Sequence, residues 1–167
     1  MNFLLRLGGV VLLLCCAVSA SQAADRLERI VGGADADPLS WPWVVSLQRV
    51  SGGVGDHYDN HFCGGSLIGP GWVITAAHCV EDVYPWEVQV LPGVSNLRHD
   101  QGTDVAVRRI IIHPDYVSQD QHNDVALLQL VSPLANTPVI RLAGPRDNVT
   151  GKLATAVGWG NMRASGD

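Results

Sequence analysis

A chain of 167 residues, 47% hydrophobic and 16% charged, has enough apolar content to bury a core and does not read as disordered. Its formal charge is -5, from 11 basic against 16 acidic residues with no basic run. That balance argues against a nucleic-acid partner, because phosphate binding needs a clustered cationic face. The 18 glycines and 9 prolines favour many turns over long helices.

Residues 1–23 read as a secretory signal. Met1 to Arg6 supplies a short cationic head, Val10 to Ala17 an apolar core, and Ser19 to Ala23 small residues for cleavage after Ala20 or Ala23. The segment is too short to serve as a mature membrane anchor. Leu14 precedes Cys15 and Cys16 where lipid attachment wants a small residue, so both cysteines are taken as part of the apolar core. Removing the signal leaves Cys63 and Cys79. In an exported protein two cysteines most simply make one disulfide; two free thiols or a metal pair are the alternatives, and no second Cys/His pair has zinc spacing. Residues 24–29 follow as a short charged segment ending at Arg29, and the chain then reads Ile30-Val31-Gly32-Gly33. This is a proteolytic activation site with an apolar new N-terminus, or a linker running into a strand.

From there the pattern is all-β. Trp43–Gln48, Phe62–Ile68, Gly71–Ala76, Trp86–Leu91, Asp104–Ile112 and Asp124–Leu130 are predicted strands, punctuated by turns such as Gly69-Pro70-Gly71. Ser51 to Asn60 reads as a hairpin loop. Short strands at such spacing indicate an antiparallel barrel or sandwich. Ser132 to Pro145 reads as a linker, and Lys152 to Trp159 as one more strand. No sustained helical period and no internal repeat is found.

The chemistry centres on Thr75-Ala76-Ala77-His78-Cys79, where an imidazole follows a small, apolar strand end. A base of this kind needs a carboxylate to hold its tautomer. Asp124 is the candidate, a polar residue opening the apolar run Val125-Ala126-Leu127-Leu128. An aspartate so placed is partly buried and needs a hydrogen-bond partner. Alone, Asn123-Asp124 would read as a turn cap.

Ile30-Val31-Gly32-Gly33, Cys63-Gly64-Gly65-Ser66-Leu67-Ile68, Thr75-Ala76-Ala77-His78-Cys79, Asn123-Asp124-Val125-Ala126-Leu127 and Gly158-Trp159-Gly160 stand in the order of one known family's landmarks. From Arg29 onward the chain resembles the chymotrypsin/trypsin-like serine endopeptidases. The resemblance implies two six-stranded antiparallel β-barrels with catalytic residues in the cleft between them. It implies a first barrel over 30–131, a linker over 132–149, and the start of a second barrel over 150–167. It also implies His78 as general base, Asp124 as its orienting acid, zymogen activation between Arg29 and Ile30, and a Cys63–Cys79 disulfide framing the histidine loop. Protein or peptide substrates and an activating protease are the implied partners, with no cofactor and no metal. Arg29 hints at trypsin-like specificity, since self-activation would require a preference for Arg.

The family's nucleophile lies in a Gly-Asp-Ser-Gly-Gly motif, which does not occur in these 167 residues. Ser165 lacks the flanking glycines of an oxyanion-hole loop, and Ser66 falls in a strand. The expectation is therefore a secreted, trypsin-like serine endopeptidase represented by its N-terminal portion, inactive as given without the serine. The alternative is a truncated, non-catalytic, protease-like binding protein.

Other features are read as structural. His57 and His61 flank an acidic loop with Asp56 and Asp59, taken as solvated and not metal-binding. His99 and Asp100 lie in Pro92 to Gly102, which has too few acids for a calcium site. His113-Pro114 reads as a turn. Asn148-Val149-Thr150 is a glycosylation sequon. The five tryptophans are taken as packing and turn residues.

Overall fold

The computed structural model describes residues 33–37, 40–50 and 56–160. Six strands form: β1 (Val44–Arg49), β2 (His61–Gly69), β3 (Trp72–Thr75), β4 (Val88–Pro92), β5 (Val105–Ile112) and β6 (Ala126–Leu130). They pair antiparallel in the order β1-β2-β3-β6-β5-β4, and β1 pairs with β4 to close the barrel. Closure gives each of the six strands a neighbour on both sides.

Alternation explains which side chains face inward. In β6, Ala126, Leu128 and Leu130 are buried while Leu127 and Gln129 are half-buried. In β3, Val73 and Thr75 are buried, while Trp72 and Ile74 are not. Val73, Ala126, Leu128 and Leu130 join Val45, Leu47, Leu67, Val88, Val90 and Val107 in one core. At β1 both faces are covered, Val45 and Leu47 on one and Ser46 and Gln48 on the other, which is why its sequence alternates only in part. The close approach of β2 to β3 depends on Gly65. A Cβ there would stand 2.7 Å from Val73 Cγ1 and 3.1 Å from the Ile74 carbonyl oxygen.

Three sequence expectations need correction. Trp86–Leu91 begins as a strand only at Val88, because Pro85–Glu87 is a 3-10 turn with Pro85 at its start. In that turn Trp86 is exposed and stacks on Tyr84, with centroids 4.6 Å apart. The Ser51–Asn60 loop contains a one-turn helix, α1 (His57–Asn60), whose Asp56 side chain accepts from the Asp59 N–H at 2.9 Å. Residues 51–55 lie outside the described set. Lys152–Trp159 is not a strand: residues 152–157 join no ladder among the described residues. Its apolar pattern offers faces, but a strand also needs a partner's N–H and C=O groups.

The segment after β6 runs irregularly over the barrel. Leu134 N–H donates to the Pro70 carbonyl at 2.7 Å and Ile140 N–H to the Leu67 carbonyl at 2.9 Å. Near its end, the Trp159 Nε1–H donates to the Ser95 carbonyl at 2.7 Å, and its ring packs on a small cluster of Leu91, Val94 and Leu97.

Candidate active site

Strand register brings the site together. Thr75, the last residue of β3, lies opposite Ala126, the first of β6. His78 follows Thr75 by three residues and Asp124 precedes Ala126 by two, so the two leave the barrel side by side. Ala77 and Val80 are both buried and pin the turn, while His78 between them is exposed. The turn closes with Val80 N–H donating to the Ala77 carbonyl at 2.9 Å.

On the opposite side, Asn123 has φ 55°, in the left-handed region that asparagine tolerates better than most residues. Its side-chain amide donates to the Asp115 carbonyl at 2.9 Å, and its own carbonyl accepts from Val125 N–H at 2.7 Å. This tight reversal turns the Asp124 carboxylate towards the histidine loop. Asn123 was missed as a positioning residue in the sequence, although an Asn before a single acidic residue at a strand start is the available signal.

Asp124 holds His78 at two points. Its Oδ1 accepts from the His78 backbone N–H at 2.8 Å, and its Oδ2 accepts from Nδ1 at 2.7 Å. A carboxylate is acceptor-only, so the proton on the ring belongs at Nδ1 and the lone pair at Nε2. The ring hydrogen bond first, and the backbone one second, hold the Asp124 carboxyl below its ordinary value. Asp124 is the more sheltered partner, its side chain 20% exposed against 46% for His78. The anchor is therefore screened and the ring reaches solvent. Among the described residues no hydroxyl group is hydrogen-bonded to Nε2; it lies 3.5 Å from Cys79 Sγ.

Cys63 and Cys79 form a disulfide, with Cα atoms 6.2 Å apart. It ties the histidine turn to β2, assisted by Thr75 Oγ1 donating to the Gly64 carbonyl at 2.8 Å. Ser66 sits within β2, paired across to Val44 and Ile74. Arg29, Ile30 and Ser165 lie outside the described residues.

A model of the trypsin family matches residues 30–167. The chain belongs to the trypsin family. Among solved structures, the VesB protease of Vibrio cholerae is similar, with 35% identity and a TM-score of 0.63. That match covers 71% of this chain and 35% of the other, so the chain spans about a third of the length of VesB.

The remaining histidines and acids have other surroundings. His61 is not in a solvated loop. It opens β2 half-buried, with Nδ1 2.6 Å from Ser46 Oγ, and its ring lies edge-on to Trp159. Gln48 Nε2 donates to the same Ser46 Oγ at 2.5 Å, leaving the serine proton free for His61 Nδ1. Burial pushes the His61 ring below its ordinary value of 6.5, towards the neutral form. Asp100 closes its own loop, its Oδ2 accepting from the N–H groups of Ser95 and Asn96, both at 2.7 Å. These bonds, Asn96 first, hold its carboxyl below the ordinary value. His113 stands in a turn, its carbonyl accepting from Tyr116 N–H at 3.0 Å. Asn148 Oδ1 accepts from Thr150 N–H at 3.1 Å in an exposed turn.

Proposed function

We propose that this chain supplies the general-base half of a secreted, trypsin-like serine endopeptidase. The observation that carries this reading is the twofold hold of Asp124 on His78. With Nδ1–H fixed on the carboxylate, Nε2 presents its lone pair to solvent and takes the proton of a serine hydroxyl as that oxygen attacks a peptide carbonyl. The imidazolium that forms is stabilised by Asp124, and its proton then passes to the leaving amine. Water repeats the sequence to release the acyl group. His78 and Asp124 act only as a unit with that hydroxyl, which this family carries in its Gly-Asp-Ser-Gly-Gly segment.

Residues 1–23 direct export, residues 24–29 form the activation peptide, and cleavage between Arg29 and Ile30 by another protease activates the zymogen. Residues 30–131 make the first barrel, 132–149 the connection and 150–167 the start of the second. The disulfide is in keeping with an oxidising compartment.

The test is to treat the native product of this sequence with a serine-directed phosphonate and map the adduct by peptide mass spectrometry. The expected result is a labelled serine on a polypeptide that also yields the peptides around His78 and Asp124. A native product that contains these peptides and takes no label after cleavage at Arg29 would overturn the proposal.

A further inference from the structure

Two aromatic rings stand out of the barrel surface beside β4. Tyr84 is 60% exposed and Trp86 70% exposed, and they stack with centroids 4.6 Å apart and planes 5° apart. Large apolar groups left in water together mark a contact surface. Tyr84 covers one face of Trp86 and steadies the ring. Beside Trp86 opens a groove of about 380 Å³, within the range that receives a ligand or a partner's side chain. Val50, itself 44% exposed, lines it with Pro85, Trp86 and Val88, and its polar members are Gln89 and Arg108. The lining comes from the end of β1, the turn before β4, β4 itself and β5, and none of it from the His78 turn or the Asp124 loop.

The charge at this groove is one-sided. Strand register slips between Val107 and Arg109, which makes Arg108 the extra residue of a bulge, and a bulge re-aims the side chain it carries. Arg108 is exposed, and its guanidinium makes one long hydrogen bond, Nη2 donating to the Val131 carbonyl at 3.4 Å. The rest of its donor fork is open to a ligand. Arg109 beside it is exposed as well, and among the described residues neither arginine pairs with a carboxylate. Glu87, the acid next to Trp86 in sequence, is turned back to accept from the Tyr84 N–H at 2.9 Å. On a chain of formal charge -5, this leaves a positive spot beside an apolar groove.

We propose that this groove docks an acidic peptide segment of a partner protein, with a bulky apolar side chain seated between Val50 and Trp86 and a neighbouring carboxylate on Arg108. The apolar walls alone would accept any apolar group, and the guanidinium is what selects, since it can receive a carboxylate through two parallel N–H···O bonds. Charge complementarity also chooses between occupants. A neutral sugar stacked on Trp86 would leave both arginines without a counter-charge, whereas an acidic segment satisfies the ring and the cations together. Because the lining excludes His78 and Asp124, the contact uses none of the groups of the proposed hydrolysis. The docking surface therefore does not rest on the functional reading above.

The experiment titrates the fluorescein-labelled pentapeptide Asp-Glu-Phe-Asp-Glu with the full chain and follows fluorescence anisotropy. Saturable binding is expected, with Kd on the order of 10–100 μM for one seated side chain and one charge pair. The same peptide with Asn and Gln in place of its acids, or with Ala in place of Phe, should bind at least about tenfold more weakly. Trp86→Ala and Arg108→Gln should each weaken binding at least about tenfold. Added salt should weaken the parent complex and affect Arg108→Gln less. Both positions are exposed, so near-ultraviolet circular dichroism should report an intact fold, and the peptide variants probe the same contacts with the protein unchanged. The inference is overturned if anisotropy does not rise at about 1 mM chain, if either altered peptide binds as the parent does, or if both protein variants bind normally. It is equally overturned if sedimentation shows the chain associating with itself through Trp86, since the groove would then belong to a second copy. No readout involves a serine, so a negative phosphonate result leaves this test intact, and the reverse also holds.

Discussion

His78 stands exposed in the turn after β3 with its ring on a carboxylate, whereas His61 opens β2 half-buried with its ring against a hydroxyl. The difference lies in which hydrogen bond each partner can make with the ring. Asp124 can only accept, so it fixes the neutral tautomer with Nε2 free. Ser46 can donate to a neutral ring, and the burial around His61 disfavours charge. One residue type thus presents a free ring nitrogen to solvent in one place and is held towards its neutral form in the other, and β2 connects both, carrying His61 at its start and Cys63 two residues on.

The largest expected effect breaks the carboxylate side of this contrast. Asp124→Asn in the native product keeps the shape but lets the ring adopt the wrong tautomer, and kcat should fall by about 10^4. Steady-state kinetics on a peptide substrate check this, with an unchanged thermal midpoint showing that the fold persists. Next comes the strand that both histidines share. In Gly65→Ala the new methyl meets Val73 Cγ1 and the Ile74 carbonyl, and we expect a loss of about 2–3 kcal/mol in urea unfolding. Ser46→Ala strikes the neutral side alone. It leaves the buried Gln48 amide and the His61 ring without their shared partner, and a loss of about 1–2 kcal/mol is expected with no change in kcat.

The smallest effect concerns the loop that receives Trp159, the residue packed edge-on to His61. Asp100 binds protons less readily folded than unfolded, so its stabilisation is present above the usual carboxylate range. It is lost as pH falls through the depressed folded value. Asp100→Asn should therefore flatten the fall in stability as pH drops below about 4, measured by urea unfolding at each pH. An unchanged slope would show that Ser95 and Asn96 do not favour the charged form.

Much of the barrel was legible before any coordinates. Six of the seven predicted strands occur, because valine- and leucine-rich runs broken by Gly-Pro-Gly and acidic turns have few other ways to bury themselves. His78 was legible through its setting of small residues and a cysteine. Asp124 was legible only as a partner, since Asn-Asp is an ordinary turn by itself. His61 was misread because its loop neighbours are polar, while its burial comes from Ser46 and Trp159, distant in sequence. Lys152–Trp159 was misread because strand propensity resides in the segment, but pairing requires a second one.

By itself, the sequence determined the six barrel strands, their order along the chain and the residue kinds available for acid–base chemistry, since these follow from local periodicity and side-chain properties. Tertiary structure decided which histidine faces a carboxylate and which faces a hydroxyl. That choice depends on the register of Thr75 against Ala126, on the left-handed turn at Asn123 and on the Cys63–Cys79 link. Each of these is set by how the folded chain is arranged, and the tautomer a ring adopts is set by the hydrogen-bond partners within a few ångströms.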